Sequence, residues 1–119
     1  MKLCFVPTPI GNLQDITLRA IQTLQEADLI VAEDTRHSGL LMQHLKIPDK
    51  KFVSLHSHNE HFKTSQLIER IQKEQLSVAV VSDAGTPGIS DPGFLLSRKA
   101  IEAGIPVECL PGPTEYQLQ

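Results

Sequence analysis

The sequence of 119 residues contains no tryptophan and a single tyrosine, and aromatic side chains make up 4% of it. A platform that stacks single-stranded bases needs several exposed rings, so this chain is not built around one. Cysteine is scarce as well: Cys4 and Cys109 stand near opposite ends, with no Cys-x-x-Cys spacing. Both fall in apolar, strand-like segments, which predicts two buried reduced thiols in preference to a disulfide. No apolar run approaches the length of a membrane span. After Lys2 only residues 3–6 precede Pro7, too short an apolar stretch for a secretion signal, so the expected setting is cytoplasmic with no membrane partner. Basic charge is not in excess either. Eleven Lys and Arg against 14 Asp and Glu leave a formal charge of −3, which supplies no autonomous electrostatic footprint for nucleic acid or an anionic membrane.

Two nucleotide signatures are also missing. Gly88 and Gly93 have the spacing of a phosphate-binding loop, but Phe94 and Leu95 stand where Lys and Ser or Thr are required. Gly11 alone follows the first apolar run, so the Gly-x-Gly-x-x-Gly turn of dinucleotide-binding folds is absent, and hydride transfer loses its support.

What is present is the pattern of one compact α/β domain, with 40% hydrophobic residues and an apolar period that alternates between short runs and helical stripes. Strands are expected at residues 2–6, 29–33, 52–55, 77–82 and 106–110, forming a mostly parallel five-stranded sheet flanked by helices in three layers. The first crossover helix buries Ile16, Ala20, Ile21 and Leu24, with Asp15 near its start to complement the helix dipole. The second, over residues 35–45, directs Leu40, Leu41 and Leu45 inward and stops before Pro48. The third buries Leu67, Ile68 and Ile71. Asp91 as N-cap, Pro92 at the first helical position and Gly104 at the stop delimit the fourth, which buries Leu96, Ala100 and Ala103.

In an open parallel sheet the ligand lies beyond the carboxyl ends of the strands, so the segments after each strand carry the chemistry. After the fourth strand, residues 85–93 hold three glycines and two prolines. Glycine lets a ligand approach the main chain and proline fixes its path, which favours a cradle for a flat polar molecule over a plain turn needing about two to six residues. Glu33, Asp34 and Arg36 cluster after the second strand; Asp34 is the natural N-cap of the next helix, and Glu33 is placed to hold Arg36. His56, His58 and His61 with Glu60 follow the third strand. They read as substrate hydrogen bonders, as a solvated capping cluster, or as the metal site of a hydrolase using His56 and His58.

These runs together resemble a known family. Thr8-Pro9-Ile10-Gly11-Asn12-Leu13, Asp15-Ile16-Thr17-Leu18-Arg19-Ala20, Ala32-Glu33-Asp34-Thr35-Arg36, the stretch 82–93 and Pro111-Gly112-Pro113-Thr114 are similar to the tetrapyrrole-methylase superfamily. Within it they resemble the branch of bacterial small-subunit ribosomal RNA methyltransferases that modify a cytidine 2′-hydroxyl. The resemblance implies the N-terminal half of a tetrapyrrole-methylase fold over residues 1–114, with 115–119 a tail where the family's second domain begins. It also implies S-adenosylmethionine as methyl donor, small-subunit ribosomal RNA as substrate, no metal, and a homodimer. By motif matching, Pro9, Asp83, Ala84, Gly85, Ile89 and Thr114 would line the donor site. Asp34, Arg36 and His58 are candidates for substrate binding, and Asp34, His37, His58 and Asp83 are candidates for the base that takes the hydroxyl proton. With half of an inter-domain cleft, the isolated chain is expected to be inactive. A non-catalytic binding or dimerisation module is the competing reading.

Overall fold

The computed structural model describes residues 1–8, 15–82 and 91–111. Five strands alternate with four helices: β1 (Lys2–Pro7), α1 (Leu18–Glu26), β2 (Leu29–Ala32), α2 (Thr35–His44), β3 (Phe52–Ser54), α3 (Glu60–Glu74), β4 (Ser77–Ser82), α4 (Asp91–Glu102) and β5 (Val107–Cys109). The strands form one sheet in the order β3-β2-β4-β1-β5. Every pairing is parallel, as the alternation of short apolar runs with helical stripes requires. β1 and β4 are buried through their four central residues, which is why both read as continuous apolar runs.

Successive strand residues point to opposite faces, and the core divides accordingly. Cys4, Val6, Ile30, Ala32, Ala79 and Val81 pack with Ala20 and Leu24 of α1 and Leu41 and Met42 of α2. On the other face Leu3, Phe5, Leu29, Val31, Val78 and Val80 meet Leu67 and Ile71 of α3 and Leu96 and Ala100 of α4. Leu24 and Leu96 are wholly buried; each contributes about 1.5–3 kcal/mol by leaving water.

The helix ends follow local chemistry. Thr17 caps α1, its hydroxyl accepting the Ala20 N–H at 3.1 Å. The far end of α1 is closed by Lys50, whose Nζ donates to the carbonyls of Gln25 (2.7 Å) and Ala27 (2.6 Å). α2 gives way to Lys46 at φ 58°, ahead of Pro48. α4 ends at Gly104, φ +80°, with the Ile105 N–H reaching back to the Ala100 carbonyl at 2.9 Å, a Schellman closure that a Cβ would strain.

Several expectations need correction. Asp15 precedes the cap residue Thr17, and the first turn of α1 holds no acidic side chain. The inward stripe of α2 is Ser38, Leu41 and Met42, while Leu40 is 58% exposed. Ile21, Ile68 and Ala103 are only half-buried. α4 starts at Asp91 itself, which puts Pro92 at the second helical position, where its missing N–H is still no loss. β2, β3 and β5 are each shorter than expected; β3 and β5 are the sheet edges, and β2 stops at Ala32, two residues before the α2 cap Asp34. Cys4 is buried but Cys109 is exposed, and both are free thiols.

Candidate functional site

Because all strands are parallel, their carboxyl ends share one rim. The chain leaves β1 through α1 on one face and leaves the neighbouring β4 through α4 on the other. The crevice of an open α/β sheet lies at such a reversal, here between the ends of β1 and β4. Pro7 is the register partner of Ser82 at that point, and the buried Thr8 hydroxyl donates to the Ser82 carbonyl. The two segments that depart from this pair are 9–14 and 83–90. Pro9, Asp83, Ala84, Gly85 and Ile89, together with Thr114 beyond β5, therefore lie outside the described residues.

The described part of the rim is the adjoining end of β2 and β3. Asp34 caps α2, accepting the Arg36 N–H at 3.0 Å, and grips the same residue's guanidinium through Nε at 3.2 Å and Nη2 at 3.3 Å. The fork of Arg36, and after it the N–H groups of Arg36 and His37, hold the Asp34 carboxyl below the usual carboxylate range. The same pairing raises the guanidinium's affinity for its proton. Arg36 is thus held by Asp34 and not by Glu33, which contributes only its carbonyl, accepting from the Ser54 hydroxyl at 2.9 Å. The Arg36 side chain remains 91% exposed, with donors left for a ligand. His37, in the first turn of α2, is exposed.

After β3 the chain turns on Asn59. Its Oδ1 accepts the His56 N–H at 2.8 Å, its Nδ2 donates to the Ser54 carbonyl at 3.0 Å, and its own N–H donates to the His56 carbonyl at 3.1 Å. The His58 N–H donates to Nδ1 of His56 at 3.2 Å, and the two rings meet edge-on with centroids 5.7 Å apart. His56 is half-buried and His58 exposed. His61 approaches Glu60 at 3.9 Å. Among the described residues no three His, Cys, Asp or Glu side chains converge as metal ligands, so His56 and His58 have no third partner there for the hydrolase reading. The structure thus brings Asp34 and Arg36 together, and His56 with His58. Asn59 and Thr8 were not singled out by sequence reasoning; nothing in residue spacing marks an asparagine that holds the turn ahead of it.

A sequence model of the family described as Tetrapyrrole (Corrin/Porphyrin) Methylases matches residues 2–118. Proteins named ribosomal RNA small subunit methyltransferase I are similar to this chain: that of Escherichia coli O157:H7 is 57% identical over 112 residues, and that of Haemophilus influenzae 58% over 110. The alignments cover 94% and 92% of this chain but 38% of each relative, so the chain spans well under half of their length. Two solved structures share the fold at low identity. A uroporphyrin-III-C-methyltransferase from Thermus thermophilus superposes with a TM-score of 0.68 at 24% identity, over 93% of this chain and 47% of that one. A diphthine synthase gives 0.70 at 19%, over 94% and 44%. With the family's pattern running from the start of β1 past the end of β5, and more than half of the residues shared with those two relatives, the chain belongs to the tetrapyrrole methylases.

Proposed function

We propose that this chain is the N-terminal α/β domain, residues 1–114 with a short tail, of an S-adenosylmethionine-dependent enzyme that methylates a cytidine 2′-hydroxyl in small-subunit ribosomal RNA. The observation that carries the reading is identity of 57–58% to proteins bearing the name of a small-subunit ribosomal RNA methyltransferase. The geometry supports it through the paired ends of β1 and β4: the segments proposed to line the donor site, with Pro9 and with Asp83, Ala84, Gly85 and Ile89, follow in sequence on the register partners Pro7 and Ser82. Thr114, following β5 beside β1, would complete that lining. Leu18, Phe62 and Phe94 are 85%, 68% and 62% exposed. They stand in the first turns of α1, α3 and α4, on the same rim, which suits a domain that works covered by further protein and within a cytoplasmic homodimer.

S-adenosylmethionine supplies an electrophilic methyl group. The protein must align the ribose oxygen with it and receive the hydroxyl proton. Arg36, oriented by Asp34, presents its remaining donors to a backbone phosphate of the RNA. Asp34 is a weak base in that pairing and acts as the holder of Arg36, which leaves His37, His58 and Asp83 as candidate proton acceptors.

Methyl incorporation from labelled donor into small ribosomal subunits is the direct test. A version extended to the length of the relatives is expected to transfer methyl groups, and the 119-residue chain alone, which matches 38% of their length, is not. Comparable turnover by the short chain would reject the inactive-half reading. In the extended enzyme Gly85→Val should abolish donor binding in calorimetry, and Arg36→Ala should slow transfer more than it weakens donor binding. Unchanged donor affinity in the first variant, or parallel losses in the second, would overturn the respective assignments.

A further inference from the structure

The imidazole of His56 is held in a way that fixes what it can do. A backbone N–H can only donate, so the His58 amide at 3.2 Å makes Nδ1 of His56 an acceptor. The single proton of the neutral ring must then sit on Nε2, and Nε2 cannot take another. Nδ1, the nitrogen that would accept a proton, is already occupied. The backbone that carries the ring is also held, since Asn59 bonds the His56 main chain at both its N–H and its carbonyl. Asn59 in turn bonds the Ser54 carbonyl, and the Ser54 hydroxyl bonds the Glu33 carbonyl, so this turn is tied to the end of β2 one residue before Asp34. A half-buried N–H donor and the exposed fork of Arg36 therefore stand on adjoining strand ends of one rim.

We propose that His56 is a positioning residue that donates its Nε2–H to an oxygen of the substrate's ribose-phosphate backbone, and that it is not the base. The inference rests on the ribosomal RNA reading above and deepens it. Two donors on adjoining strand ends complement an acceptor-rich polyanion such as the ribose-phosphate backbone. When the O–CH3 bond forms and the S–CH3 bond breaks, the hydroxyl proton goes to a group other than His56.

The role separates two variants of similar size. In His56→Gln the amide nitrogen takes the place of Nε2 and keeps the outward donor. In His56→Asn the shorter amide reaches only the place of Nδ1. In the extended enzyme, His56→Asn should raise KM for small ribosomal subunits about tenfold, the worth of one hydrogen bond, with donor affinity unchanged in calorimetry. His56→Gln should recover most of that loss. Activity lost equally in both variants, or retained in full by His56→Asn, would overturn the proposal. Long-range nitrogen–proton NMR on the 119-residue chain reads the tautomer without any activity, and a proton on Nδ1 would also overturn it. If the ring carries its proton on Nε2 while the extended wild-type enzyme leaves ribosomal RNA unmethylated, the substrate reading fails and takes the RNA contact with it. An Nδ1 proton in an active enzyme removes the inference alone.

Discussion

Cys4 and Cys109 lie on neighbouring strands yet cannot reach each other. Cys4 is opposite Glu108 and Phe5 opposite Cys109, so the two thiols project from different faces of the sheet. Burial, and then a hydrogen bond to Glu108 at 3.5 Å, push the Cys4 thiol up to about 11, which suppresses its thiolate at neutral pH. A thiol reagent should therefore label one cysteine in the native protein and two after denaturation. Cys109→Ser should abolish the native labelling; rapid native labelling of that variant would contradict the buried position of Cys4. Thr64 presents a different residue-scale problem, because it is 2% exposed and its hydroxyl has no hydrogen-bond partner among the described residues. Thr64→Val keeps the branched shape without the unsatisfied group, and should raise the denaturant midpoint by the equivalent of about 1–2 kcal/mol. A lower midpoint would mean that the hydroxyl does have a partner in solution. Asp34 gives a signed pH effect. Its folded-state carboxyl lies below the ordinary value of 3.8, so its contribution is present above that value and is lost as pH falls through the lower, folded one. Asp34→Asn should flatten that part of the acid side of a stability profile and lower the melting temperature at neutral pH.

At the scale of elements, the helix ends explain more than helix propensity does. Lys50 reaches from the connection before β3 to two carbonyls at the end of α1, two charge-assisted bonds from a half-buried residue. Lys50→Met should keep the stem's packing and remove the bonds, destabilising the fold by about 1.5–3 kcal/mol in thermal or denaturant unfolding. An unchanged midpoint would show that water replaces the ammonium at no cost. The central elements were legible before the structure because their signals are redundant. In β4, Val78, Ala79, Val80 and Val81 leave no alternative to a strand buried on both faces, and at the end of α4 a glycine and a proline mark one stop. The second helix was legible in its extent but not in its inward stripe, because Leu40, Leu41 and Met42 are adjacent and do not define its phase. Its phase is set by Ser38, a small polar residue that turns inward by bonding the carbonyls of Asp34 and Thr35. Cys109 was misjudged for a related reason: an apolar neighbourhood in sequence does not reveal that β5 is an edge strand. The rim was readable as a rim. Which carboxylate holds Arg36, and that the His58 amide fixes the His56 ring, depend on backbone positions that spacing does not encode.

For the molecule as a whole, the strand order has a consequence in time as well as in space. The neighbours of β1 are β4 and β5, whose paired residues are 77–82 and 107–109. Through residue 76, the pairing of β2 with β3 is the one strand–strand contact available among the described residues. Assembly of the sheet therefore begins away from the amino terminus: β1 has no strand to pair with until β4 is formed, and β5, whose strand neighbour is β1, adds after it. Pulse-labelled hydrogen exchange during refolding should protect β2 and β3 before β1; early protection of the amides of Leu3 and Phe5 would contradict this sequence of events. During synthesis the apolar β1 stays without a partner while most of the chain is made, a stretch of time in which it can pair with the wrong edge. Cutting the chain before Ser77 would consequently yield an orphaned strand and a sheet with a gap at its centre, not a smaller domain.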